Sequence, residues 1–192
     1  MEPWMWWGVG ILAAVVGVVI IFMILTYNSL VARKIETDNA WSQINVQLQR
    51  RHDLIPNLVE TVKGYAKHEQ QTLERVIQAR NQAISAGSIA DKSVAETQLT
   101  SAVRGLLAIA EAYPDLKANQ NFLALQEELT ATENRIGFAR QHYNDAVSQY
   151  NTAILTFPAN AVAGIFGFRP ADFFTLDPAE AAAIRQAPKV QF

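Results

Sequence analysis

The chain has 192 residues, of which 50% are hydrophobic, and its 16 lysines and arginines nearly balance its 18 aspartates and glutamates. This charge balance provides no large basic field, so nucleic acid is not an expected partner. There is no cysteine, which excludes disulfides, thiolate nucleophiles and cysteine-based zinc sites. The length suits one ordinary domain together with a short anchor.

The N-terminal region carries an uninterrupted apolar run, GVGILAAVVGVVIIFMIL, at residues 8–25. At about 1.5 Å per residue, this run and the aromatic residues before it cover the roughly 30 Å hydrocarbon core of a bilayer. We therefore predict a transmembrane helix over residues 4–26, preceded by a short extracytoplasmic N-terminus of residues 1–3. The aromatic side chains expected at the two membrane interfaces are Trp4, Trp6, Trp7 and Tyr27.

A cleaved signal peptide is the alternative interpretation of this segment. It requires Lys or Arg before the apolar run and a small-residue cleavage site after it, whereas the sequence has Glu2 before the run and LTYNSL after it. No Lys or Arg precedes the run, while Arg33 and Lys34 follow it closely. By the positive-inside rule, we predict a single-pass protein of the bacterial inner membrane with its N-terminus outside and its main domain in the cytoplasm.

After the anchor, apolar residues recur at helical spacing in four segments, at about residues 27–52, 54–86, 93–113 and 120–156. The connections between these segments are short, and no strand-like alternation occurs. We therefore predict an all-α fold in which the single transmembrane helix continues into an antiparallel up-and-down four-helix bundle over residues 27–157.

Two local signals place the boundaries of the predicted helices. The sequence HDLIP at residues 52–56 is interpreted as the corner between the first two helices, with Asp53 as an N-cap and Pro56 in the first turn. Ser93 and Glu96 have the spacing of a capping box, which predicts the start of the third helix.

The tail at residues 158–192 differs in composition, because most phenylalanines of the chain lie in or next to it. Within it, PANAVAGIFGF is expected to form a short apolar helix near the membrane. Three roles remain open for the tail: a clasp over its own bundle, insertion into the membrane interface, or docking on a neighbouring subunit. The candidate interaction residues are Phe166, Phe168, Phe173 and Phe174.

Three stretches carry a resemblance to a known family. They are NAWSQINVQLQRRHDLIPNLVETVKGYAKHE, YPDLKANQNFLALQEELTATENRIGFARQHYNDAVSQYN and FPANAVAGIFGF, and they resemble successive signatures of the LemA family of bacterial membrane-anchored proteins. The resemblance runs from about Tyr27 to Phe192. It implies an N-terminal membrane helix and an antiparallel helical bundle, and it supplies no established enzymatic activity. Family members are associated with membrane proteases of the heat-shock type and with membrane remodelling in magnetosome formation.

Residues 50–70 hold two of the three histidines beside several acidic residues, a density that is typical of a metal or acid/base site. The spacing does not fit one. A zincin helix needs H-E-x-x-H, but residues 68–72 read HEQQT, and no glutamate precedes a histidine by three residues as a di-iron bundle requires. We therefore expect no enzyme activity, no metal, no cofactor and no small-molecule substrate.

Helix depth predicts a polar layer across the middle of the bundle, composed of Asn39, Glu69, Arg104 and Glu133. Arg104, Arg135 and Arg140 are the candidate counter-charges for its two carboxylates. The layer has two interpretations: a buried polar group that fixes the register of long helices, or a proton or cation site between carboxylates.

These patterns favour a non-enzymatic scaffold or adaptor, tethered to the membrane on its cytoplasmic face and associating with itself. The first alternative is an accessory subunit of a membrane protease or quality-control complex, with that protease or another membrane protein as partner. The second is a cation- or proton-binding bundle that uses Glu69 and Glu133.

Overall fold

The computed structural model describes residues 3–175, and this part of the chain is all-α, which confirms the predicted fold class. The first two residues and residues 176–192 of the predicted tail lie outside the described range. A 3₁₀ turn covers Ala110–Ala112 between the third and fourth helices. The helices are α1 (Pro3–Tyr65), α2 (Gln70–Ser85), α3 (Ile89–Ile109), α4 (Pro114–Lys117), α5 (Gln120–Leu155) and α6 (Ala159–Phe166).

Helix α1 does not end at the predicted corner. It passes through residues 52–56 without a break and ends at Tyr65, so the turn into α2 lies at residues 66–69. The predicted corner is therefore wrong, and Pro56 lies inside the helix. Asp53 is not an N-cap; its carboxylate accepts a hydrogen bond of 2.8 Å from Gln49, one turn earlier.

A side chain of α2 explains why proline is tolerated inside α1. Pro56 has no N–H, so it cannot donate to the carbonyl oxygen of His52, four residues earlier. The Arg80 Nε donates to that oxygen instead, at 2.7 Å. Arg80 thereby replaces the missing helical hydrogen bond and attaches α2 to α1 at the same point.

This replacement predicts a coupling between Arg80 and Pro56. Arg80→Met is expected to lower the free energy of unfolding by about 1–3 kcal/mol. The His52 carbonyl then loses the Arg80 donor, and Pro56 has no N–H that could replace it. In a Pro56→Ala background, the N–H of the new alanine bonds to the same carbonyl, and the loss should fall below about 1 kcal/mol. Urea unfolding followed by circular dichroism in detergent measures both values.

Arg75→Met is the matched control, because Arg75 is an exposed arginine on the same helix. Its substitution should change the free energy of unfolding by less than about 0.5 kcal/mol in either background. An equal loss for Arg80→Met with proline and with alanine at position 56 would contradict the proposed replacement.

The chain divides into two compact units. Within the described residues, the anchor unit comprises residues 3–39 together with Asp145–Ala171, and the bundle unit comprises Ala40–Asn144 together with residues 172–175. Helices α1 and α5 each have one part in the anchor unit and one part in the bundle unit.

In the bundle unit, α1, α2, α3 and α5 contribute to one apolar core. Two contacts for each helix pair show the direction of the helices. Trp41 packs against Tyr143 and Arg50 bonds to Glu128, so α1 and α5 are antiparallel. Asn45 bonds to Lys92 and Arg51 to Glu96, so α1 and α3 are parallel, as in the predicted up-and-down bundle. The fully buried side chains of this core include Ile55, Leu58, Leu99, Leu106, Leu116 and Phe122.

The start of α3 also differs from the prediction. Ser88 is the N-cap, and its hydroxyl oxygen accepts a hydrogen bond of 3.0 Å from the Asp91 N–H. Ser93 and Glu96 are buried in the interior of α3. The predicted capping box is therefore wrong, and the Glu96 side chain bonds to residues of α1 instead of capping α3.

In the anchor unit, α6 forms over the apolar stretch that was predicted to be helical, and it follows a cis peptide bond between Phe157 and Pro158. Gly167 ends the helix with a φ of 71°, a left-handed conformation that glycine adopts without strain. The small core of this unit contains Leu30, Tyr150, Ile154 and Ala163.

A segment without regular secondary structure follows α6, and side chains of α5 bind its backbone in the anchor unit. The Tyr150 hydroxyl donates to the Arg169 carbonyl at 3.0 Å. The Asn151 amide donates to the Ala171 carbonyl at 3.0 Å and accepts from the Ala171 N–H at 2.9 Å. The segment is thus held through main-chain groups.

A second Tyr-Asn pair lies seven residues earlier on α5 and makes the same kind of contacts in the bundle unit. The Tyr143 hydroxyl donates to the Asp172 carbonyl at 2.7 Å. The Asn144 amide donates to the Phe174 carbonyl and accepts from the Phe174 N–H, each at 3.0 Å. The fully buried Phe174 ring lies 5.4 Å from the Trp41 ring.

Candidate functional site

A cluster of charged side chains lies inside the bundle unit. Arg51 and His52 come from α1, Glu96 from α3 and Glu133 from α5. Arg51 is 2% exposed, His52 4% and Glu96 0%. Burying a charge is costly unless it is paired, so each of these groups requires a partner.

Arg51 is the centre of the cluster. Its guanidinium group donates to the Glu96 carboxylate, to the Thr100 hydroxyl at 3.0 Å and to Glu133 Oε2 at 2.7 Å. The His52 Nε2 lies 2.8 Å from the second carboxylate oxygen of Glu96. Both oxygens of Glu96 are therefore bonded, one to each of two neighbouring residues of α1.

The partners of Glu96 determine its charge. Burial by itself raises the pKa of the Glu96 carboxyl group, but the hydrogen bond from His52 and the positive charge of Arg51 outweigh burial. This pKa is held below its ordinary value. Glu96 is therefore an ionised carboxylate at neutral pH and acts as a hydrogen-bond acceptor.

This arrangement stabilises the fold and is poorly suited to acid/base chemistry. A general acid or base works best with a pKa near the working pH, and the pKa of Glu96 is shifted in the opposite direction. Within residues 3–175, no group of three or more His, Cys, Asp or Glu side chains is placed to share a metal ion. The cluster has the features of a buried ion-pair network that fixes helix register.

Glu133 connects the cluster to the surface, because its side chain is 40% exposed. A groove of about 200 Å³ lies beside it, between α1, α3 and α5. Arg104 and Asn134 also line this groove, together with apolar side chains such as Val103 and Leu107. Solvent therefore reaches one carboxylate of the network and not the other.

The predicted polar layer forms only in part. Arg104 and Glu133 line the same groove, but the arginine that pairs with Glu133 at 2.7 Å is Arg51, which was not among the predicted counter-charges. Glu69 lies in the turn before α2, where its carboxylate accepts a hydrogen bond of 3.4 Å from the Tyr113 hydroxyl. Asn39 is exposed and belongs to the anchor unit. The inclusion of Glu69 was wrong because α2 begins later than predicted.

Two members of the network were missed by the sequence analysis, although the pattern contains a signal for one. Ile44, Leu48 and Ile55 have the spacing of one helix face, and Arg51 lies on that face between Leu48 and Ile55. All four residues are buried. Interpreting residues 52–56 as a corner placed Arg51 at a helix end. Glu96 was assigned to a cap and was not considered as its partner.

The predicted membrane-interface residues are described only in part. Trp7 is exposed on α1, and Tyr27 packs its ring against Phe166 and Phe168 at centroid distances of 4.7 and 5.8 Å. The side chains of Trp4 and Trp6 lie outside the described part of the chain. Within the described residues, α1 is the helix that is long and apolar enough to cross a membrane.

A long apolar N-terminal helix that continues into an all-α bundle with a buried ion-pair network defines a membrane-associated helical protein. The chain belongs to the LemA family, whose family model matches residues 40–192.

Curated relatives agree with this assignment. Magnetosome protein MamQ 2 of Paramagnetospirillum magneticum is 27% identical, over 82% of this chain and 67% of that protein. MamQ of Magnetospirillum gryphiswaldense is 25% identical over the same shares. Protein LemA of Metamycoplasma hominis is 29% identical, over 71% of this chain and 63% of its own length. None of these descriptions names an enzymatic activity.

Proposed function

We propose that this protein is a membrane-tethered helical scaffold that acts by binding partners and not by catalysis. The observation that carries the proposal is the continuity of α1, a single helix of 63 residues. Its apolar part has the length of a membrane span, and its later residues, such as Ile55 and Leu58, belong to the bundle core. A partner bound to the bundle is therefore attached to the membrane without a flexible linker.

The proposed orientation places the bundle unit on the cytoplasmic side of a bacterial membrane. Arg33 and Lys34 follow the apolar run and favour the side on which basic residues accumulate. Similarity to magnetosome proteins supports a structural role at a membrane.

Exposed apolar side chains of the bundle unit support the proposed self-association. Val46 is 63% exposed and Phe138 is 74% exposed. Val46 lies midway between the buried Ile44 and Leu48, so it projects from the opposite side of α1. Large apolar side chains on an outward helix face are typical of protein contact surfaces.

Photo-crosslinking in the native membrane tests the proposal. A photoreactive amino acid at position 46 or 138 should crosslink to a second copy of the chain, while one at the exposed Glu60 should not. Val46→Asp and Phe138→Asp should each reduce self-association, because a charge opposes burial in an apolar contact.

Two other outcomes contradict parts of the proposal. Crosslinks to a membrane protease or to another membrane protein would replace self-association by an accessory-subunit role. The absence of crosslinks at both positions, with the protein folded and in the membrane, would overturn the binding role of this surface.

A further inference from the structure

The anchor unit contains two long stretches without charge. Residues 3–32 of α1 have no Asp, Glu, Lys or Arg, and neither do residues 146–168, which include the end of α5 and all of α6. About a quarter of the residues of an average soluble domain are charged. An uncharged stretch of this length in α1 is explained by the proposed span, but the second stretch is not part of that helix.

The second stretch exposes large apolar side chains. Leu155 is 69% exposed, Phe157 82%, Ile165 68% and Phe166 51%. One face of α6 is buried through Val162 and Ala163, and the outer face is also apolar apart from the exposed Asn160. A helix whose outer face contacted water would normally carry polar residues there.

The contacts of Tyr27 give the depth of α6 relative to the apolar run of α1. The Tyr27 ring packs against Phe166 at 4.7 Å and Phe168 at 5.8 Å. Tyr27 lies two residues beyond Leu25, where the apolar run ends, which corresponds to about 3 Å along the helix. The end of α6 therefore lies at the level where a spanning α1 leaves the hydrocarbon core.

Exposed cations follow both uncharged stretches. Arg33 and Lys34 come directly after the first, and Arg169 comes directly after the second. A groove of about 480 Å³ in the same unit is lined by Phe22 and Leu25 at one end of its α1 wall and by Arg33 at the other. Along α1, apolar groups are thus followed by an aromatic group and then by cationic groups, which is their order from the core of a bilayer to its phosphate layer.

We infer that residues 155–168 lie in the interfacial zone of a phospholipid bilayer as a second membrane-contacting element. This range runs from the last residue of α5 through the turn and α6 to Phe168. The outer face of α6 contacts acyl chains, and Arg33, Lys34 and Arg169 face the phosphate layer. The inference rests on the proposed membrane tether, because α6 reaches this depth only if α1 spans the bilayer. The surface is continuous with the lipid-facing surface of α1 through Tyr27, which favours lipid over a protein partner.

Spin labelling of the full-length chain tests this inference, since the absence of cysteine allows a single label at any introduced cysteine. Leu155→Cys and Ile165→Cys report on the proposed element. Val18→Cys, in the apolar run, and Val94→Cys, in the bundle unit, are controls of similar exposure. Each labelled protein is reconstituted in vesicles of phosphatidylcholine and phosphatidylglycerol, and its collision rates with oxygen and with a water-soluble nickel chelate are measured.

The expected result is a severalfold higher ratio of oxygen to nickel collisions at positions 155 and 165 than at position 94. The ratio should remain below that at position 18, which lies deeper. Equal ratios at positions 155, 165 and 94 would overturn the inference. Protection from both oxygen and nickel at 155 and 165 would also overturn it, because it indicates a protein contact. A label at position 18 that reports water would instead contradict the tether itself.

Discussion

Replacing Glu96 with alanine is expected to lower the free energy of unfolding by about 3–5 kcal/mol, because Arg51 then stays buried without its main carboxylate. Arg51 and Glu96 are almost completely buried and bonded to each other. The loss combines the cost of an unpaired buried charge with the broken bond from His52. Urea unfolding followed by circular dichroism of the detergent-solubilised protein measures it.

The adjacent arginine provides a matched control. Arg50 pairs with Glu128 at 2.7 Å, but their side chains are 45% and 47% exposed. Glu128→Ala should therefore cost less than about 1 kcal/mol, since solvent screens an exposed pair. Similar losses for Glu96→Ala and Glu128→Ala would show that the buried network does not hold the bundle together.

Acid titration gives a second measurement on Glu96. Because its pKa is lower in the folded state, the unfolded state binds more protons in acid, and stability rises with pH through this range. The contribution of Glu96 is complete above the ordinary glutamate pKa of about 4.3 and is lost as the pH falls through the lower folded value. Glu96→Gln should flatten that part of the stability profile.

Phe174→Ala is expected to lower the free energy of unfolding by about 3–5 kcal/mol, because it leaves a cavity beside the Trp41 ring. Phe174 is fully buried in the bundle unit, whereas the neighbouring Phe173 is only half-buried. Phe173→Ala is therefore the control and should cost less than half as much. An unchanged unfolding curve for Phe174→Ala, together with lost self-association, would assign Phe174 to an intermolecular contact.

Hydrophobic periodicity predicts those parts of the fold that depend on local pattern. The apolar run, the long α5 and the short α6 lie close to where the sequence pattern places them. Helices α5 and α6 each bury one apolar face, and the run is recognised by its length and its uniformly apolar composition. The corner between α1 and α2 could not be placed in this way. A proline normally interrupts a helix, and the Arg80 side chain that compensates for Pro56 lies 24 positions later in the chain.

The same error displaced the candidate site. Because the turn lies at residues 66–69 and not at residues 52–56, different side chains lie side by side across the bundle. Glu69 is therefore outside the charged cluster, and Arg51 is inside it. Glu133 lies on α5, whose observed range is close to the predicted one. Its pairing with Arg51, and that of Arg51 with Glu96, depend on three helices meeting, which no single segment encodes.

The two Tyr-Asn pairs of α5 have a consequence for how the chain can evolve. Asn151 and Asn144 bind the N–H and C=O groups of Ala171 and Phe174, much as an adjacent β-strand would. Main-chain groups are common to nearly all amino acids, and only proline lacks the N–H. The exposed side chains of this segment, such as that of Asp172, are therefore open to selection for new partners, while the main-chain attachment of the segment to α5 is kept.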